Sequence, residues 1–236
     1  MTPFAEALAG AERWLLPGAC LTCGASVGPA DPLICPLCQS RWRRLPEPQC
    51  ARCGQPRPGD PDPCRFCAPW PPALDRARSA VWLDATAREA VHALKYAGWW
   101  RVAEVLAVPM VRLGMVTSET VLVPIPLNPK RRRRRGYNQA DVLARALAAR
   151  TGAPVDTVAL GRTRATPTQT ALTPEARRAN VAGAFAAAGV RGARVVLVDD
   201  VLTTGATLAE AATTLAEAGA ASVGAVTFAR ALPPVH

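Results

Sequence analysis

The sequence predicts an α/β domain built on a parallel β-sheet, preceded by a small cysteine-rich module. Three observations lead to this prediction. All 8 cysteines lie between residues 20 and 67 of the 236. From about residue 75 onward, apolar segments of strand length alternate with segments of helical periodicity, which is typical of an α/β fold. Residues 194–198 form a nearly continuous apolar run, as expected for a strand that is buried on both faces.

The boundary between the two parts is predicted near residue 70. Residues 67–72 read Cys-Ala-Pro-Trp-Pro-Pro, and adjacent prolines extend the chain and cannot continue a helix. We therefore assign residues 1–70 to the module and residues 73–236 to the α/β domain. The module is rich in Pro and Gly, so it needs a cross-link to offset the entropy cost of its own folding.

Each element of the α/β domain is predicted from a local signal. Asp, Asn and Thr mark helix starts, and glycines mark helix ends. Residues 161–180 are polar, lack periodicity and are predicted to form a loop. The predicted helices span 84–96, 99–114, 138–150 and 204–218, and the predicted strands span 121–127, 155–160, 194–198 and 222–228.

Composition and charge exclude several classes of protein. Half of the residues are apolar, which excludes a disordered chain, and no apolar run approaches the roughly 18 residues of a membrane span. The first 20 residues contain Glu6 and Glu12 and lack a secretory signal, so we expect a cytoplasmic protein. The net charge is +10, which suits partners that carry phosphate. A solvated surface of an Arg-rich chain explains this charge equally well.

The cysteines form four Cys-x-x-Cys pairs, separated by 11, 11 and 10 residues. Two such turns supply the four thiolates of a tetrahedral zinc site, so we predict two structural zinc ions. A sequential scheme and a cross-braced scheme both satisfy the spacing. The sequential scheme closes shorter loops and is favoured. The pairs are Cys20 and Cys23, Cys35 and Cys38, Cys50 and Cys53, and Cys64 and Cys67.

Other uses of the cysteines are weaker alternatives. A disulfide framework requires an oxidising compartment, and no export signal is visible. Redox catalysis needs only one dithiol, and an iron–sulfur cluster fits four regular pairs less well. The module also contains four arginines and a tryptophan that suit contact with nucleic acid or a partner, or are solvated surface. These residues are Arg41, Arg43, Arg44, Arg52 and Trp42.

An acidic pair, Asp199 and Asp200, directly follows the predicted buried strand. At the carboxyl end of a parallel strand, two carboxylates can accept hydrogen bonds from ribose hydroxyls or hold a hydrated Mg²⁺. A turn of small residues and threonines follows, and the helix that begins there offers free N–H groups to an anion. The pattern predicts a ribose 5-phosphate pocket, and helix capping alone is the weaker explanation. The turn consists of Thr203, Thr204, Gly205, Ala206 and Thr207.

Residues 196–208 resemble the signature of type I phosphoribosyltransferases for 5-phosphoribosyl-1-pyrophosphate (PRPP). The resemblance implies that the acidic pair contacts the ribose hydroxyls, that residues 203–207 hold the 5-phosphate, and that Mg²⁺ accompanies PRPP. It also implies that Lys130 meets the pyrophosphate. Residues 162–180 match the position of a catalytic loop that closes over PRPP and excludes water. The candidate catalytic residues within this loop are Arg164, Gln169 and Arg177.

Four further motifs narrow the resemblance to the ComF family, whose members are competence-associated proteins linked to uptake of transforming DNA. With the cysteine module, they extend the resemblance over almost the whole chain. The resemblance makes proteins of the competence machinery candidate partners. The motifs are Leu94-Lys-Tyr96, Val123-Pro-Ile-Pro126, Arg134-Arg-Gly-Tyr-Asn-Gln139 and Asn180-Val-Ala-Gly-Ala-Phe185.

Residues 130–135 carry six adjacent positive charges. Like charges repel one another, so an anionic partner is expected to compensate them, and pyrophosphate is too small to contact them all. Single-stranded DNA could follow the run while bases stack on nearby aromatic rings, namely Tyr96, Trp99, Trp100 and Tyr137. A solvated loop or the start of a helix also explains the run, and the two tryptophans are favoured as core residues. The candidate DNA-binding residues are Arg131, Arg132, Arg133, Arg134 and Arg135.

Lysine is rare in this chain, with 2 lysines beside 26 arginines. A compact ammonium suits phosphate, so Lys95 and Lys130 are both of interest, although chance retention explains them equally well. His92 is predicted to share a helix face with Lys95, in a buried structural role rather than a catalytic one.

Three functions remain open from the sequence. The first is a protein that binds PRPP and single-stranded DNA and acts in DNA uptake. The second is an active phosphoribosyltransferase of nucleotide metabolism with an unknown acceptor. The third is an adaptor that senses PRPP.

Overall fold

A computed structural model of the chain describes residues 18–28, 32–57, 64–96, 98–163 and 181–231. Its helices are α1 (Pro36–Ser40), α2 (Ala85–Tyr96), α3 (Val102–Val111), α4 (Pro129–Arg135), α5 (Gln139–Thr151) and α6 (Ala206–Glu217). Its strands are β1 (Gly18–Ala19), β2 (Ser26–Val27), β3 (Arg76–Trp82), β4 (Val121–Pro124), β5 (Leu160–Arg162), β6 (Phe185–Ala187), β7 (Arg194–Leu202) and β8 (Ser222–Arg230). Within these ranges, no helix is long and apolar enough to cross a membrane.

The centre of the fold is a four-stranded sheet in the order β3-β8-β7-β4, in which all neighbours are parallel. Along β7, alternate residues enter two different apolar clusters, because successive strand side chains point to opposite faces. Val196 and Val198 pack with α2, α3 and α5. Val195 and Leu197 pack with α6. The carboxyl ends of all four strands therefore meet at one edge of a sheet that is covered on both faces.

Capping residues predicted two helices accurately. The Asp84 carboxylate accepts a hydrogen bond from the Ala87 N–H at 3.0 Å, at the start of α2. The Asn138 side chain accepts one from the Ala140 N–H at 3.2 Å, and α5 ends at Gly152 with φ 73°. Local hydrogen-bonding chemistry is sufficient to specify these boundaries.

The prediction of a strand at 155–160 is wrong. The Asp156 carboxylate accepts hydrogen bonds from the N–H groups of Val158 and Ala159, at 2.9 and 2.8 Å, and this turn interrupts an extended chain. Val155 makes only a single bridge, to Leu122. The strand at this position is β5, which pairs antiparallel with β6. It includes the first two residues of the loop predicted at 161–180.

Residues 129–135 form a helix, although their like charges oppose one. The Asn128 side chain caps the Lys130 N–H at 3.0 Å, Pro129 occupies the first turn, and Gly136 ends the helix in the left-handed conformation. These are standard helix signals. They therefore decide the local structure of the arginine run, which takes the helical alternative.

The cysteine-rich module wraps around the edge strand β3. The Arg52 carbonyl accepts a hydrogen bond from the Ala77 N–H, and the Arg43 carbonyl accepts one from the Trp82 N–H, each at 2.8 Å. Trp42 packs edge-on against Phe228, with ring centroids 4.9 Å apart. Both apolar clusters contain residues of the module and of the sheet. The division into residues 1–70 and 73–236 stays a proposal about folding units.

Candidate functional site

The cysteines form two clusters that follow chain order. Within each cluster, the Sγ atoms lie within 4.8 Å of one another. The Sγ atoms of Cys50 and Cys67, and those of Cys53 and Cys64, are 3.8 Å apart. A tetrahedral zinc with Zn–S bonds of about 2.3 Å places its sulfurs about 3.8 Å apart, so the residues fit this metal. The sequential scheme is confirmed. The first four-cysteine site contains Cys20, Cys23, Cys35 and Cys38, and the second contains Cys50, Cys53, Cys64 and Cys67.

Electrostatics also favours a cation in the second site. Burial and the neighbouring thiolates raise the pKa of Cys53 to about 11. Burial opposes ionisation of Cys50 as well, but backbone N–H donors outweigh it and lower its pKa to about 6. A divalent cation at the centre removes the mutual repulsion of four thiolates. The residues supply four ligands to each ion, which leaves no open position for chemistry and indicates a structural role.

The acidic pair lies near the carboxyl end of β7, with the strand continuing to Leu202. Strand alternation directs Asp199 and Asp200 to opposite faces of the sheet. Asp199 is half-buried, and its carboxylate accepts a hydrogen bond from the Asp200 N–H at 2.9 Å. Burial and the adjacent charge of Asp200 raise the pKa of Asp199 well above its usual value. Its ionised form therefore gains strongly from any cation or hydroxyl donor that a ligand brings.

Asp200 is buried at the centre of a polar network. Its carboxylate forms an ion pair with the ammonium of Lys95 and accepts a hydrogen bond from Gln139 Nε2 at 3.3 Å. Burial opposes ionisation of Asp200, but Lys95 outweighs it and lowers the pKa of this carboxyl. Burial likewise opposes the charge on Lys95, and Asp200 raises the pKa of that ammonium. The pair is therefore ionised, and Lys95 contacts Asp200 in this structure.

Three of the sequence motifs meet at this network. Tyr137 donates a hydrogen bond from its hydroxyl to the Leu94 carbonyl, which fixes the end of α2 beside α5. Asn138 Nδ2 donates to the Ile125 carbonyl at 2.9 Å, which fixes α5 beside the end of β4. Gln139, which sequence reasoning missed, is the residue that reaches Asp200. Its place at the end of the third motif, Arg134-Arg-Gly-Tyr-Asn-Gln139, was the available signal.

Replacing Lys95 with Met is expected to destabilise the fold by about 3 kcal/mol, because it leaves the buried Asp200 carboxylate without its cation. Replacing Asp200 with Asn in the same chain removes that uncompensated charge. The double variant Lys95→Met with Asp200→Asn should therefore recover part of the loss. Urea unfolding of the wild type, the two single variants and the double variant measures the coupling between the two residues. Additive losses would show that the ion pair contributes nothing of its own.

The turn after β7 leads directly into the first turn of α6. Gly205 adopts φ 79° and precedes α6, whose first residue is Ala206 rather than the predicted Thr204. The N–H groups in the first turn of a helix of this length favour a negative charge. Thr203 is exposed, and Thr204 and Thr207 are half-buried. The structure thus brings all five predicted phosphate-loop residues, 203–207, to the same sheet edge as the acidic pair.

The predicted basic residues lie on α4. Lys130, Arg132, Arg133 and Arg134 are exposed, and Arg131 is half-buried. Arg135 instead is half-buried, and its guanidinium donates a hydrogen bond to Gln139 Oε1. The same guanidinium lies 5.3 Å from the centre of the Tyr96 ring. This residue links the arginine run to the Asp200 network. Arg164, Gln169 and Arg177 lie outside the described residues.

An exposed aromatic surface lies beside α4. Tyr96 is 60% exposed and Trp99 is 45% exposed, so the prediction that Trp99 belongs to the core is wrong. His92 is also exposed and packs against Tyr96, with the rings tilted and their centroids 4.8 Å apart, which corrects its predicted buried role. The helix end and the following glycine turn leave these rings outside the packed face of α2. We call His92, Tyr96 and Trp99 the aromatic surface.

Comparison with known families agrees with both parts of the fold. The Phosphoribosyl transferase domain model matches residues 118–232, and the Double zinc ribbon domain model matches residues 11–68. The fold, the acidic pair and the two four-cysteine sites therefore define a phosphoribosyltransferase-like α/β domain with an N-terminal double zinc ribbon. This confirms the fold class that the sequence predicts.

Whole-chain relatives identify the family. The DNA utilization protein YhgH of Escherichia coli (strain K12) is 33% identical over 216 residues, which cover 88% of this chain and 95% of that protein. Competence protein F of Haemophilus influenzae is 28% identical, over 90% of this chain and 96% of that protein. Competence protein ComFC of Bacillus subtilis (strain 168) is 29% identical, over 85% of each. The chain belongs to the ComF family.

Proposed function

We propose that the protein binds PRPP at the carboxyl edge of its sheet and single-stranded DNA along α4, and that it acts in DNA uptake in the cytoplasm. The convergence of the acidic pair and the phosphate loop at one sheet edge carries the first part. The relatives named for competence and for DNA utilization support the second. Titration of the purified protein with PRPP and Mg²⁺, and separately with oligonucleotides, tests the two parts.

In this proposal, each side of the acidic pair has its own task. Asp199 accepts hydrogen bonds from the ribose hydroxyls, and its charge is not already neutralised by a direct ion pair with Lys95. Asp200 is held by Lys95 and Gln139, so its carboxylate keeps a fixed position toward the sugar. The loop at 203–207 binds the 5-phosphate through backbone N–H and hydroxyl donors. Mg²⁺, if it accompanies PRPP, supplies charge neutralisation for the pyrophosphate next to these carboxylates.

DNA binding is supported by charge and by the aromatic surface. The exposed side chains of α4 present a compact cationic strip that matches a phosphate backbone. Arg135 joins this strip to Tyr96 through its contact with the ring. Exposed rings offer stacking faces to unpaired bases, which duplex DNA does not present. The arrangement therefore favours a single strand.

An active phosphoribosyltransferase is the second candidate function. The acidic pair and the phosphate loop together carry it, since a DNA scaffold alone has no use for them. Lys130, Arg164, Gln169 and Arg177 are the proposed catalytic residues. An assay of PRPP-dependent pyrophosphate release against a panel of bases and oligonucleotides distinguishes this function from a sensing adaptor, which binds PRPP without turnover.

Replacing Arg131, Arg132 and Arg133 with Ala is expected to weaken single-stranded DNA binding and to flatten its salt dependence. Each phosphate neutralised contributes roughly −0.7 to the slope of log affinity against log salt, so three contacts contribute about two units. PRPP affinity should change much less, because the proposed 5-phosphate loop lies at 203–207. Fluorescence anisotropy over a salt series measures the slope.

A matched control removes three charges elsewhere. Arg112, Arg150 and Arg191 are exposed residues of the α/β domain outside α4, and replacing all three with Ala changes the net charge equally. Equal slopes for the two variants would show that only total charge matters and would contradict the proposed path along α4. Loss of PRPP binding with unchanged DNA binding would instead assign the run to the pyrophosphate.

A further inference from the structure

Trp70 connects the cysteine module to the phosphate loop. Its Nε1 donates a hydrogen bond to the Thr204 carbonyl at 3.0 Å. Its ring lies against Gly205 so closely that a Cβ at that position would be 2.4 Å from the nearest ring carbon. Trp70 is only 6% exposed. A side chain from the last residue of the module thus contacts two consecutive residues of the proposed 5-phosphate site.

Trp70 is itself held by the second four-cysteine site. Arg52 lies between Cys50 and Cys53, and its guanidinium donates to the carbonyls of Cys67 and Trp70 at 3.1 and 3.2 Å. It also donates to the Pro71 carbonyl at 2.5 Å and to the Leu74 carbonyl at 3.2 Å. The same guanidinium lies 6.0 Å from the centre of the Trp70 ring. One side chain on the metal-binding turn therefore fixes the whole segment that presents Trp70.

We propose that Trp70 is a positioning residue for the phosphate loop, and that the second four-cysteine site keeps it in place through Arg52. The inference rests on the proposed PRPP site and adds a second element that controls it. The first four-cysteine site has no part in this, because Cys20 and Cys38 pack in the opposite apolar cluster, with α2 and α3. Trp70 and the second site pack in the cluster that contains α6.

The geometry of one peptide explains how Trp70 acts on the anion site. In a planar trans peptide, the C=O and N–H groups point in opposite directions. The Thr204 carbonyl points at Trp70, so the N–H of Gly205 points away from it. Gly205 lies directly before α6, where N–H groups favour an anion. Trp70 therefore selects the peptide orientation in which this N–H is a donor for phosphate, and a preorganised donor costs less on binding.

The first test compares PRPP affinity by calorimetric titration in three variants. Trp70→Phe keeps a ring against Gly205 but removes the N–H donor, and we expect about a fivefold loss of affinity, the usual effect of one hydrogen bond. Trp70→Ala removes both contacts and should lower the affinity for PRPP further. Trp42→Phe is the matched control. Trp42 is an equally buried tryptophan of the module, 7% exposed, that packs on Phe228 away from the loop, and this variant should bind PRPP as the wild type does.

The second test separates the two metal sites. Cys64→Ser and Cys23→Ser should each reduce the bound zinc from two equivalents to one. Only Cys64→Ser, in the second site, should weaken PRPP binding. Circular dichroism and single-stranded DNA affinity verify that the α/β domain of each variant is folded. Equal losses of PRPP affinity in both cysteine variants, or unchanged affinity in Trp70→Phe and Trp70→Ala, would overturn the inference.

A third measurement does not depend on PRPP. Gly205→Ala introduces a clash with Trp70 as well as backbone strain at a positive φ, whereas in Trp70→Ala the clash is relieved. The destabilisation by Gly205→Ala should therefore be smaller in the Trp70→Ala background, as measured by urea unfolding. If the wild type does not bind PRPP, the proposed function fails, while this coupling still decides whether Trp70 holds the loop. Additive effects would show that it does not.

Discussion

Replacing Asp199 with Asn is expected to lower the affinity for PRPP about 100-fold while the fold is retained. Hydrogen bonds to a charged acceptor contribute about 1.5–3 kcal/mol each, and the carboxylate is proposed to accept from the ribose hydroxyls, so losing its charge costs about 3 kcal/mol. Asp199 is half-buried and makes no ion pair in the described part of the chain, so its neutralisation leaves no buried cation unpaired. Calorimetric titration with PRPP and Mg²⁺ measures the loss.

The control for this variant is Asp141→Asn. Asp141 lies on α5 and pairs with Arg145 at 2.9 Å on the surface, so the same chemical change there should leave PRPP affinity unaltered. Replacing both acidic residues is a less specific test, because Asp200→Asn also leaves the Lys95 ammonium without its partner. Wild-type affinity in the Asp199→Asn protein would refute the pocket assignment.

Loss of a single ligand from the second metal site is expected to destabilise the fold more than loss of a ligand from the first site. The purified protein should contain two equivalents of zinc, and Cys53→Ser should contain one. Zinc binding to structural sites contributes about 10–16 kcal/mol, which is comparable with the total stability of a domain. All four cysteines of the second site are buried and belong to the cluster that packs on α6. The variant should therefore unfold at a lower temperature than the wild type, while its α/β domain stays folded below that transition.

The first metal site offers the contrast. Cys23 is exposed, so Cys23→Ser should release one zinc and lower the melting temperature less than Cys53→Ser does. Elemental analysis and thermal unfolding of both variants measure zinc content and melting temperature. The buried site is also tied to β8, because Arg230 donates to the Cys53 carbonyl at 2.8 Å. Equal melting temperatures would contradict this difference between the sites, and one equivalent of zinc in the wild type would contradict the double ribbon.

Several elements were predictable from the sequence because their signals are local. The Cys-x-x-Cys spacing determines that each pair turns its thiols toward one ion. Asn138 and Gly152 bound α5 through hydrogen bonds within a few residues. The apolar run of β7 reports burial on both faces, and the acidic pair after it lies near the carboxyl edge of the parallel sheet. None of these inferences requires knowledge of which distant residues meet.

Other features were missed because they depend on competition between local signals or on neighbours. β3 was not predicted, since its pattern of alternating arginine and small residues is weak until β8 and the module pack beside it. The arginine run became a helix because its caps outweighed charge repulsion. The strand predicted at 155–160 failed because the Asp156 side chain formed a turn.

The sequence by itself determined two sets of zinc ligands, a carboxylate pair, the turn proposed to bind phosphate and a basic run, because each is written in consecutive or regularly spaced residues. The tertiary structure decided how these parts act on one another. It paired Lys95 with Asp200, brought Gln139 to the same carboxylate, and placed Trp70 on Gly205, 135 positions further along the chain. The physical reason is that such contacts arise when separate elements pack around shared apolar clusters, and no local pattern records which buried side chain a distant segment will present.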